Sequence, residues 1–276
     1  MELGISTLGH IIEIGLNGKF KNLFELQLKA SEESLNFAEH FGINIIELVI
    51  DPPDVFNQEN RQKFIDLVNS YSLEKQVHGP FIDINLSSHN NRISEASIQS
   101  YIESVNLCND IGVKMMTIHP GIANLLLPSI REFNKRHLKH SILRLLNYAM
   151  NENLMICLEN MPQNTHIMTD NKNIEEIFNI IGRKDLFLTY DTSHFYTCDG
   201  DVKNLWLKFH SSIKNVHLVD NFSKITDTHP PLGTGKIDFK EIFDVIKKYN
   251  YKGPLIIELS NAKSLNQSIN FINKFL

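Results

Sequence analysis

The sequence predicts a single (βα)8 barrel, and three observations support this fold. Eight short apolar segments recur along the 276 residues, mostly about 30 to 40 residues apart, as in repeated strand–helix units. The segments between them have the apolar spacing of helices. A doubly wound sheet needs a glycine-rich turn after its first strand, and STLGHIIEIG (6–15) contains no GxGxxG. One domain spanning residues 1–276 is therefore the expected organisation.

The eight predicted strands are apolar on both faces, as strands buried in a parallel sheet are. In chain order they occupy 3–6, 44–50, 75–78, 114–119, 154–159, 186–191, 215–219 and 254–260. The helical patterns between them cover 28–42, 60–72, 93–112, 132–153, 173–182, 201–212 and 238–250. Gly42 and Gly112 close two of these patterns just before a strand, which is typical of helix ends.

Composition restricts the class of partner. The chain is 42% hydrophobic and 21% charged, which predicts a soluble globular protein. A formal net charge of -5 and a pI near 6.2 argue against a protein that coats nucleic acid, although they leave room for a local basic groove. Cys108, Cys157 and Cys198 lie far apart without the spacing of a metal site, which predicts free thiols in a reducing compartment.

The N-terminal segment lacks the pattern of a secretory signal, so we do not expect export. MELGISTLGH (1–10) has no basic region followed by a long apolar core, as a secretory leader would. No window of the sequence approaches the roughly 20 apolar residues that a membrane span requires. The sequence therefore predicts a cytoplasmic protein that does not interact with membranes.

Six of the eight predicted strands end in a histidine or an acidic residue. These residues are His78, His119, Glu159, Asp191, His217 and Glu258. In a barrel the carboxyl ends of all strands open onto one mouth, so the six side chains should lie close together. One such residue alone is usually a hydrogen-bonded core residue. Six together, without a cation, would repel one another or be buried without a partner. Imidazole and carboxylate ligands without cysteine suit Zn²⁺, Mn²⁺ or Fe²⁺.

Three further groups can join this set. His194 follows the sixth strand in DTSH (191–194), and Asp227 with His229 lies in TDTH (226–229) after the seventh strand. Nine candidate ligands are too many for one tetrahedral zinc ion, and they suit a cluster of two or three ions with bridging carboxylates. Glu47, in the second strand, is either a hydrogen-bond partner inside the barrel or a substrate contact, and it stays outside the predicted metal set.

These residues resemble the motifs of the xylose isomerase-like TIM-barrel superfamily, which contains endonuclease IV (AP endonuclease family 2) and sugar isomerases or epimerases. The resemblance covers essentially the whole chain. The motifs that carry it are HGPF (78–81), HPG (119–121), ENMP (159–162), DTSH (191–194), HLVD (217–220), DTH (227–229) and IIEL (256–259).

The resemblance to endonuclease IV implies a trinuclear zinc site that hydrolyses a phosphoester, specifically in duplex DNA beside an abasic site. By this resemblance, one zinc is held by His78 and His119 and shares Glu159 with a second. The second is completed by Asp191, His217 and Glu258, and the third is held by His194, Asp227 and His229. Phe81 and Ile82 resemble the family's pair of residues that inserts into DNA. Both could equally be apolar lining of the barrel mouth.

The isomerase and epimerase branch gives the alternative function. Its members resemble this chain in PLGTGKIDF (231–239), and in Glu159, Asp191, His217 and Glu258 around one metal ion. Glu159 and Glu258 would then act as acid and base on a small sugar or sugar phosphate. The first two loops also depart from endonuclease IV, because GISTLGHIIEIG and LVIDPPDVFNQEN replace its GxHVSxxGG-like and FxKNQRxW-like motifs. A one-metal isomerase has no use for His78, His119, Asp227 and His229, so these residues favour the metal-dependent hydrolase.

Overall fold

Eight parallel strands close into one barrel in the computed structural model, which describes residues 1–18 and 20–276. The strands in these described ranges are β1 (Glu2–Ser6), β2 (Ile45–Val49), β3 (Glu74–His78), β4 (Met115–Ile118), β5 (Met155–Glu159), β6 (Leu186–Asp191), β7 (Ile213–Leu218) and β8 (Pro254–Ile257). Each strand pairs with its neighbour in chain order, and β8 pairs with β1 to close the sheet. The predicted (βα)8 barrel is confirmed.

Every connection between strands carries at least one α-helix. Those in the described part of the chain are α1 (Leu8–Asn17), α2 (Leu23–Phe41), α3 (Gln58–Asn69), α4 (Asn91–Asp110), α5 (Arg131–Asn151), α6 (Asn171–Ile181), α7 (Thr192–Thr197), α8 (Val202–Phe209), α9 (Phe239–Lys248) and, after β8, α10 (Leu265–Ile272). Short 3-10 helices occupy Pro53–Val55, Pro128–Ile130, Gln163–Thr165 and Ala262–Ser264. None of the helices within residues 1–18 and 20–276 combines the length and apolarity needed to cross a bilayer.

The predicted strands agree with the observed ones to within a few residues, with two consequences for the mouth. β4 ends at Ile118 and β8 at Ile257, so His119 and Glu258 are the first residues beyond their strands. Three helices, α1, α7 and α10, were not among the predicted helical patterns. The first follows β1 after only Thr7, and the second has six residues, which is too short to show a helical period.

The interior of the barrel contains a polar layer beneath the mouth, which the expectation of strands apolar on both faces did not include. Its members are fully or almost fully buried and come from β2, β3, β4, β6 and β7: Glu47, Gln76, Thr117, Thr189 and Asn215. The Thr117 and Thr189 hydroxyls lie 2.8 Å apart, and Asn215 Nδ2 lies 3.1 Å from Thr117 Oγ1. Buried polar groups are stable when they are hydrogen-bonded in this way.

A single large apolar core surrounds this layer, between the strands and the helices. Trp206 of α8 is fully buried and contacts the rings of Tyr190 and Tyr251 edge-on. All three cysteines are free thiols. The core fixes the strands rigidly, so the residues at their carboxyl ends have defined positions.

Candidate metal centre at the barrel mouth

The nine residues predicted as ligands converge at the carboxyl-terminal mouth. Glu159 lies at the centre of the first group. Its Oε2 lies 2.8 Å from Nε2 of His119 and 3.3 Å from Nε2 of His78. Its Oε1 lies 2.9 Å from Nδ1 of His217. One carboxylate therefore faces three imidazoles, which come from β3, β7 and the end of β4.

A second group forms around Asp227, in the segment between β7 and α9. Oδ2 of Asp227 lies 3.0 Å from Nε2 of His194 and 2.7 Å from Nε2 of His229. Nδ1 of His229 lies 3.3 Å from Oε1 of Glu258, which joins this group to the rest of the mouth. The Ser193 hydroxyl donates to Oδ1 of Asp227 at 2.5 Å and accepts from Nδ2 of Asn221 at 2.9 Å. The polar segment after β7 is thus folded over the mouth.

Asp191 connects the two groups. Its Oδ1 accepts the backbone N–H of His194 at 2.6 Å and thereby caps the N-terminus of α7. Its Oδ2 is buried without a hydrogen-bond partner, 3.9 Å from Nδ1 of His217. Nδ1 of His229 is likewise buried without a well-aligned partner. Because unpaired buried polar atoms are costly, these two atoms fit a site that binds cations.

Backbone carbonyls fix the orientation of two imidazoles. Nδ1 of His78 lies 2.8 Å from the carbonyl of Gly79, and Nδ1 of His194 lies 2.9 Å from the carbonyl of Asn160. A carbonyl only accepts, so each Nδ1 carries a proton, and Nε2 is the nitrogen of each ring that faces the mouth. Asn160 is itself held by two hydrogen bonds to the backbone of Asp191. Within the described residues, four overlapping sets of three side chains have ligand atoms close enough together to hold a divalent ion; three sets contain only predicted ligands, and the fourth joins Glu47 to His217 and Glu258.

Burial and mutual charge shift the pKa values of these groups strongly. Burial opposes ionisation of Glu159, but His217 and His119 hold its pKa well below the usual range. Burial would lower the pKa of His78, yet Glu159 raises it to about 9. Burial likewise opposes charge on His217, whose pKa Glu47 and Glu159 raise well above the usual range. Burial raises the pKa of Asp191 to about 7. The mouth therefore concentrates charges that coordinated cations would compensate.

A cavity of about 340 Å³ opens above these groups. Leu8, Ile12, Val49 and Phe81 line one side, and the histidines and carboxylates line the other. None of its lining residues in the described ranges is lysine or arginine. An anionic substrate in this cavity would therefore depend on bound cations for its charge compensation.

Phe81 and Ile82 have different environments. The Phe81 ring lines the cavity, with its centroid 5.3 Å from that of His78 and 5.5 Å from that of His119. Ile82 is 61% exposed and borders a neighbouring apolar groove. Oδ2 of Asp51 accepts both backbone N–H groups, at 3.1 and 2.9 Å. Phe81 is therefore mouth lining, whereas Ile82 projects from a loop whose backbone is fixed.

The glycine-rich turn after β7 is held in place by Asp220. Oδ2 of Asp220 accepts the backbone N–H groups of Gly233 at 2.9 Å and Gly235 at 2.8 Å. A Cβ at Gly235 would lie 2.1 Å from Oδ1 of Asp220, so only glycine fits there. These N–H groups are satisfied inside the loop, which closes the segment that carries Asp227 and His229.

The fold and the mouth define a (βα)8 barrel with a polar ligand site at the carboxyl ends of its strands, the position at which barrel enzymes build active sites. A family model described as xylose isomerase-like TIM barrel matches residues 35–275. The chain belongs to this family, as its motifs indicated. Family members include enzymes named as endonucleases and as sugar epimerases.

The similar relatives and solved structures carry different names. An uncharacterized protein of Methanocaldococcus jannaschii is 25% identical, covering 100% of this chain and 89% of the relative. A protein of Aquifex aeolicus named probable endonuclease 4 is 23% identical, covering 83% of this chain and 87% of the relative. The crystal structure of a D-tagatose 3-epimerase-like protein superimposes with a TM-score of 0.82 at 22% identity, covering 100% of this chain and 97% of that one. The structural likeness establishes the fold alone.

Proposed function

We propose that this protein is a metal-dependent phosphodiesterase of the endonuclease IV type, with up to three zinc ions at the barrel mouth and abasic duplex DNA as substrate. One observation carries the proposal. His194, Asp227 and His229 form a complete ligand group that is additional to the four residues needed for one metal ion. His78 and His119 add two imidazoles on Glu159. Nine ligands suit a cluster of several ions.

The chain's own residues would orient and separate these ions. Glu159 presents one oxygen to His78 and His119 and the other to His217, so it would be shared by the first and second ions. Asp191, His217 and Glu258 would complete the second position, and the Asp227 group would hold the third. When bound, divalent cations neutralise the charge of a phosphodiester and lower the pKa of a water molecule so that it attacks at neutral pH. Mn²⁺ and Fe²⁺ suit the same nitrogen and oxygen ligands.

One wall of the cavity suits the face of a sugar. The cavity of about 340 Å³ is lined by the ligand groups and by apolar side chains that include Leu8, Ile12 and Phe81. Such an apolar wall can pack against the deoxyribose of an abasic site. Ile82, which is exposed and follows Phe81 in the chain, would contact the neighbouring part of the duplex.

Glu159 and Glu258 supply the observation that favours the alternative, a sugar or sugar-phosphate isomerase or epimerase. Both carboxylates line the cavity, where one could remove a proton beside a carbonyl group and the other return it. The cavity also has no lysine or arginine among its described lining residues to select an anion. In this function the Asp227 group has no assigned role, which is why we favour the hydrolase.

Counting metal ions and assaying both substrate classes separates the two functions. Native protein should contain close to three zinc equivalents and should incise a duplex containing one abasic analogue. His229→Ala should lose about one equivalent and at least 100-fold in incision rate, on the order of the loss of a catalytic electrostatic group.

His140→Ala is the matched control, because His140 is an exposed residue of α5 outside the ligand set. It should retain metal content and incision. If the protein instead binds one equivalent of Mn²⁺ and converts ketose phosphates without cutting the duplex, the hydrolase proposal is wrong and the isomerase is the correct function.

A further inference from the structure

We infer that Glu47 is a positioning residue that accepts the Nε2–H of His217 and so reserves Nδ1 of this imidazole for a cation at the mouth. The inference rests on the proposed function in one respect, namely that His217 is a metal ligand. It assigns a role to a carboxylate that neither lines the cavity nor belongs to the nine ligands.

The two nitrogens of His217 face opposite environments. Nδ1 points toward the mouth, 2.9 Å from Oε1 of Glu159 and 3.7 Å from Oε2 of Glu258. Nε2 points down into the barrel, 3.2 Å from each carboxylate oxygen of Glu47. Both residues are fully buried. A ligand atom of an imidazole must be unprotonated, so coordination through Nδ1 requires the proton on Nε2.

Asn215 is the one neighbour that could favour the opposite tautomer, because its Nδ2 lies 3.0 Å from Nε2 of His217. The two hydrogens of this amide have better acceptors, however. Nδ2 lies 3.1 Å from Oε2 of Glu47 and 3.1 Å from Oγ1 of Thr117. An unprotonated Nε2 would also turn its lone pair toward a carboxylate, which is repulsive. The surroundings therefore favour the proton on Nε2.

The environment of Glu47 holds its carboxylate in place for this role. Oε2 accepts from Nε2 of Gln76 at 2.6 Å as well as from Asn215. Oε1 is buried and has no well-aligned hydrogen bond. In the described part of the chain, no lysine or arginine forms an ion pair with Glu47, so His217 is the titratable group closest to it. A carboxylate behind a metal-bound histidine makes the imidazole a stronger donor and fixes its orientation.

His217 differs in this respect from two of the other candidate ligands. His78 and His194 are oriented by backbone carbonyls, which any sequence provides. A side-chain carboxylate in the barrel interior has a desolvation cost that a carbonyl does not have. A specific role at His217, the innermost imidazole, accounts for that cost.

The first test measures the tautomer directly in the zinc-loaded protein. Labelling with ¹⁵N-histidine and recording two-bond ¹H–¹⁵N correlations distinguishes Nδ1–H from Nε2–H, and comparison with His217→Gln assigns the resonance. We expect the Nε2–H form at His217. Observation of the Nδ1–H form in the zinc-loaded wild-type protein would overturn the inference, regardless of the results for the Glu47 variants.

The second test uses Glu47→Gln, which preserves shape and removes the charge. Its amide oxygen, at the position of Oε2, can still accept from Gln76, Asn215 and Nε2 of His217. The negative charge is gone, however, and the NH₂ group at the position of Oε1 lies about as close to Nε2, so the Nε2–H form is less strongly stabilised and the imidazole is a weaker donor. We expect zinc affinity at one position, measured by competition with a chelator, to fall about 10- to 100-fold.

Thr189→Val is the matched control. It removes the buried hydrogen bond to Thr117 in the same polar layer without contacting His217, so zinc affinity should not change. Should Glu47→Gln fail to fold, Glu47→Asp retains the carboxylate at a greater distance, and an intermediate affinity loss is expected. Equal zinc affinity and an unchanged His217 tautomer in the Glu47 variant would refute the positioning role.

The outcome is separable from that of the proposed function. If the wild-type protein binds one metal ion and cuts no abasic duplex, the hydrolase is wrong, but His217 and Glu47 can still be tested at that single ion. If incision and three zinc equivalents are found and Glu47→Gln changes neither zinc affinity nor tautomer, only the inference about Glu47 fails.

Discussion

At the scale of single residues, Asp191 has two oxygens with different roles. One oxygen caps α7, and the other is buried without a partner. Burial raises the pKa of this carboxyl to about 7. A carboxyl with a raised pKa opposes folding when it is ionised. This cost is absent below the unfolded pKa and grows to its full size as the pH rises past 7.

We therefore expect Asp191→Asn to stabilise the metal-free protein at pH 8. The gain in the free energy of unfolding should be at least about 1 kcal/mol, since one pKa unit corresponds to about 1.4 kcal/mol. It should shrink between pH 7 and pH 4. The asparagine Oδ1 can still cap the helix. Urea unfolding in the presence of EDTA at both pH values measures the effect.

Asp201→Asn is the control, because it makes the same chemical change at the exposed N-cap of α8. It should show no comparable gain at pH 8. A metal-free Asp191→Asn protein that is less stable than wild type at pH 8 would contradict the expected charge cost. With zinc present the order should reverse, because asparagine removes a ligand.

Individual residue types at strand ends were predictable from the sequence, whereas their partners were not. Glu159 and His217 could be singled out because each lies near the carboxyl end of a short apolar segment. The contacts that orient the imidazoles involve residues distant in sequence, such as Asn160 for His194 and Glu47 for His217. Only closure of the barrel brings these partners to 2.9 and 3.2 Å.

At the scale of elements, the segment between β7 and α9 depends on Asp220. Its carboxylate accepts N–H groups from Gly233, Gly235 and Ile237 at 2.9, 2.8 and 3.3 Å. Removal of a buried charged acceptor leaves the donors unsatisfied, which costs more than a solvent-exposed hydrogen bond. The same segment carries Asp227 and His229, so its closure also sets their positions.

Asp220→Ala should lower the free energy of unfolding by at least about 2 kcal/mol. It should also weaken metal binding by the Asp227 group without changing a ligand. Urea unfolding of the metal-free protein and zinc counting measure the two effects. Asp238→Ala, which removes an exposed N-cap of α9, should cost only about 1 kcal/mol and leave zinc content unchanged. An Asp220→Ala protein as stable as wild type would show that the turn forms without this acceptor.

Helix α7 illustrates why some elements escape sequence reasoning. Thr192–Thr197 has six residues and lies directly after β6, so it is shorter than two turns and its apolar period cannot be recognised. Its formation depends on the Asp191 cap and on His194 being held by Asn160. The cap is local, three residues away, whereas the contact with Asn160 is tertiary. The eight strands, in contrast, carry their own pattern and were predictable.

At the scale of the whole molecule, the barrel and the mouth depend on each other. Six strands, β3 to β8, deliver the nine candidate ligands, so charge at the mouth acts on most of the sheet at once. Without cations, the imidazoles are the positively charged groups that lie nearest to Glu159, Asp191, Asp227 and Glu258. Bound ions would therefore stabilise the entire fold, because they bind the folded mouth and have no equivalent site in the unfolded chain.

We expect chelation to lower the Tm of the native protein by at least about 5 °C. A site saturated at 100 times its Kd contributes about 2.7 kcal/mol, and 1 kcal/mol corresponds to about 2 to 4 °C in domains of roughly this size. Added Zn²⁺ should restore the original Tm. His229→Ala should show a smaller shift, since one ligand group is incomplete, whereas His140→Ala should match the wild-type protein. Scanning calorimetry with parallel zinc counting measures these shifts. An unchanged Tm after confirmed removal of zinc would mean that the charges at the mouth are compensated without cations.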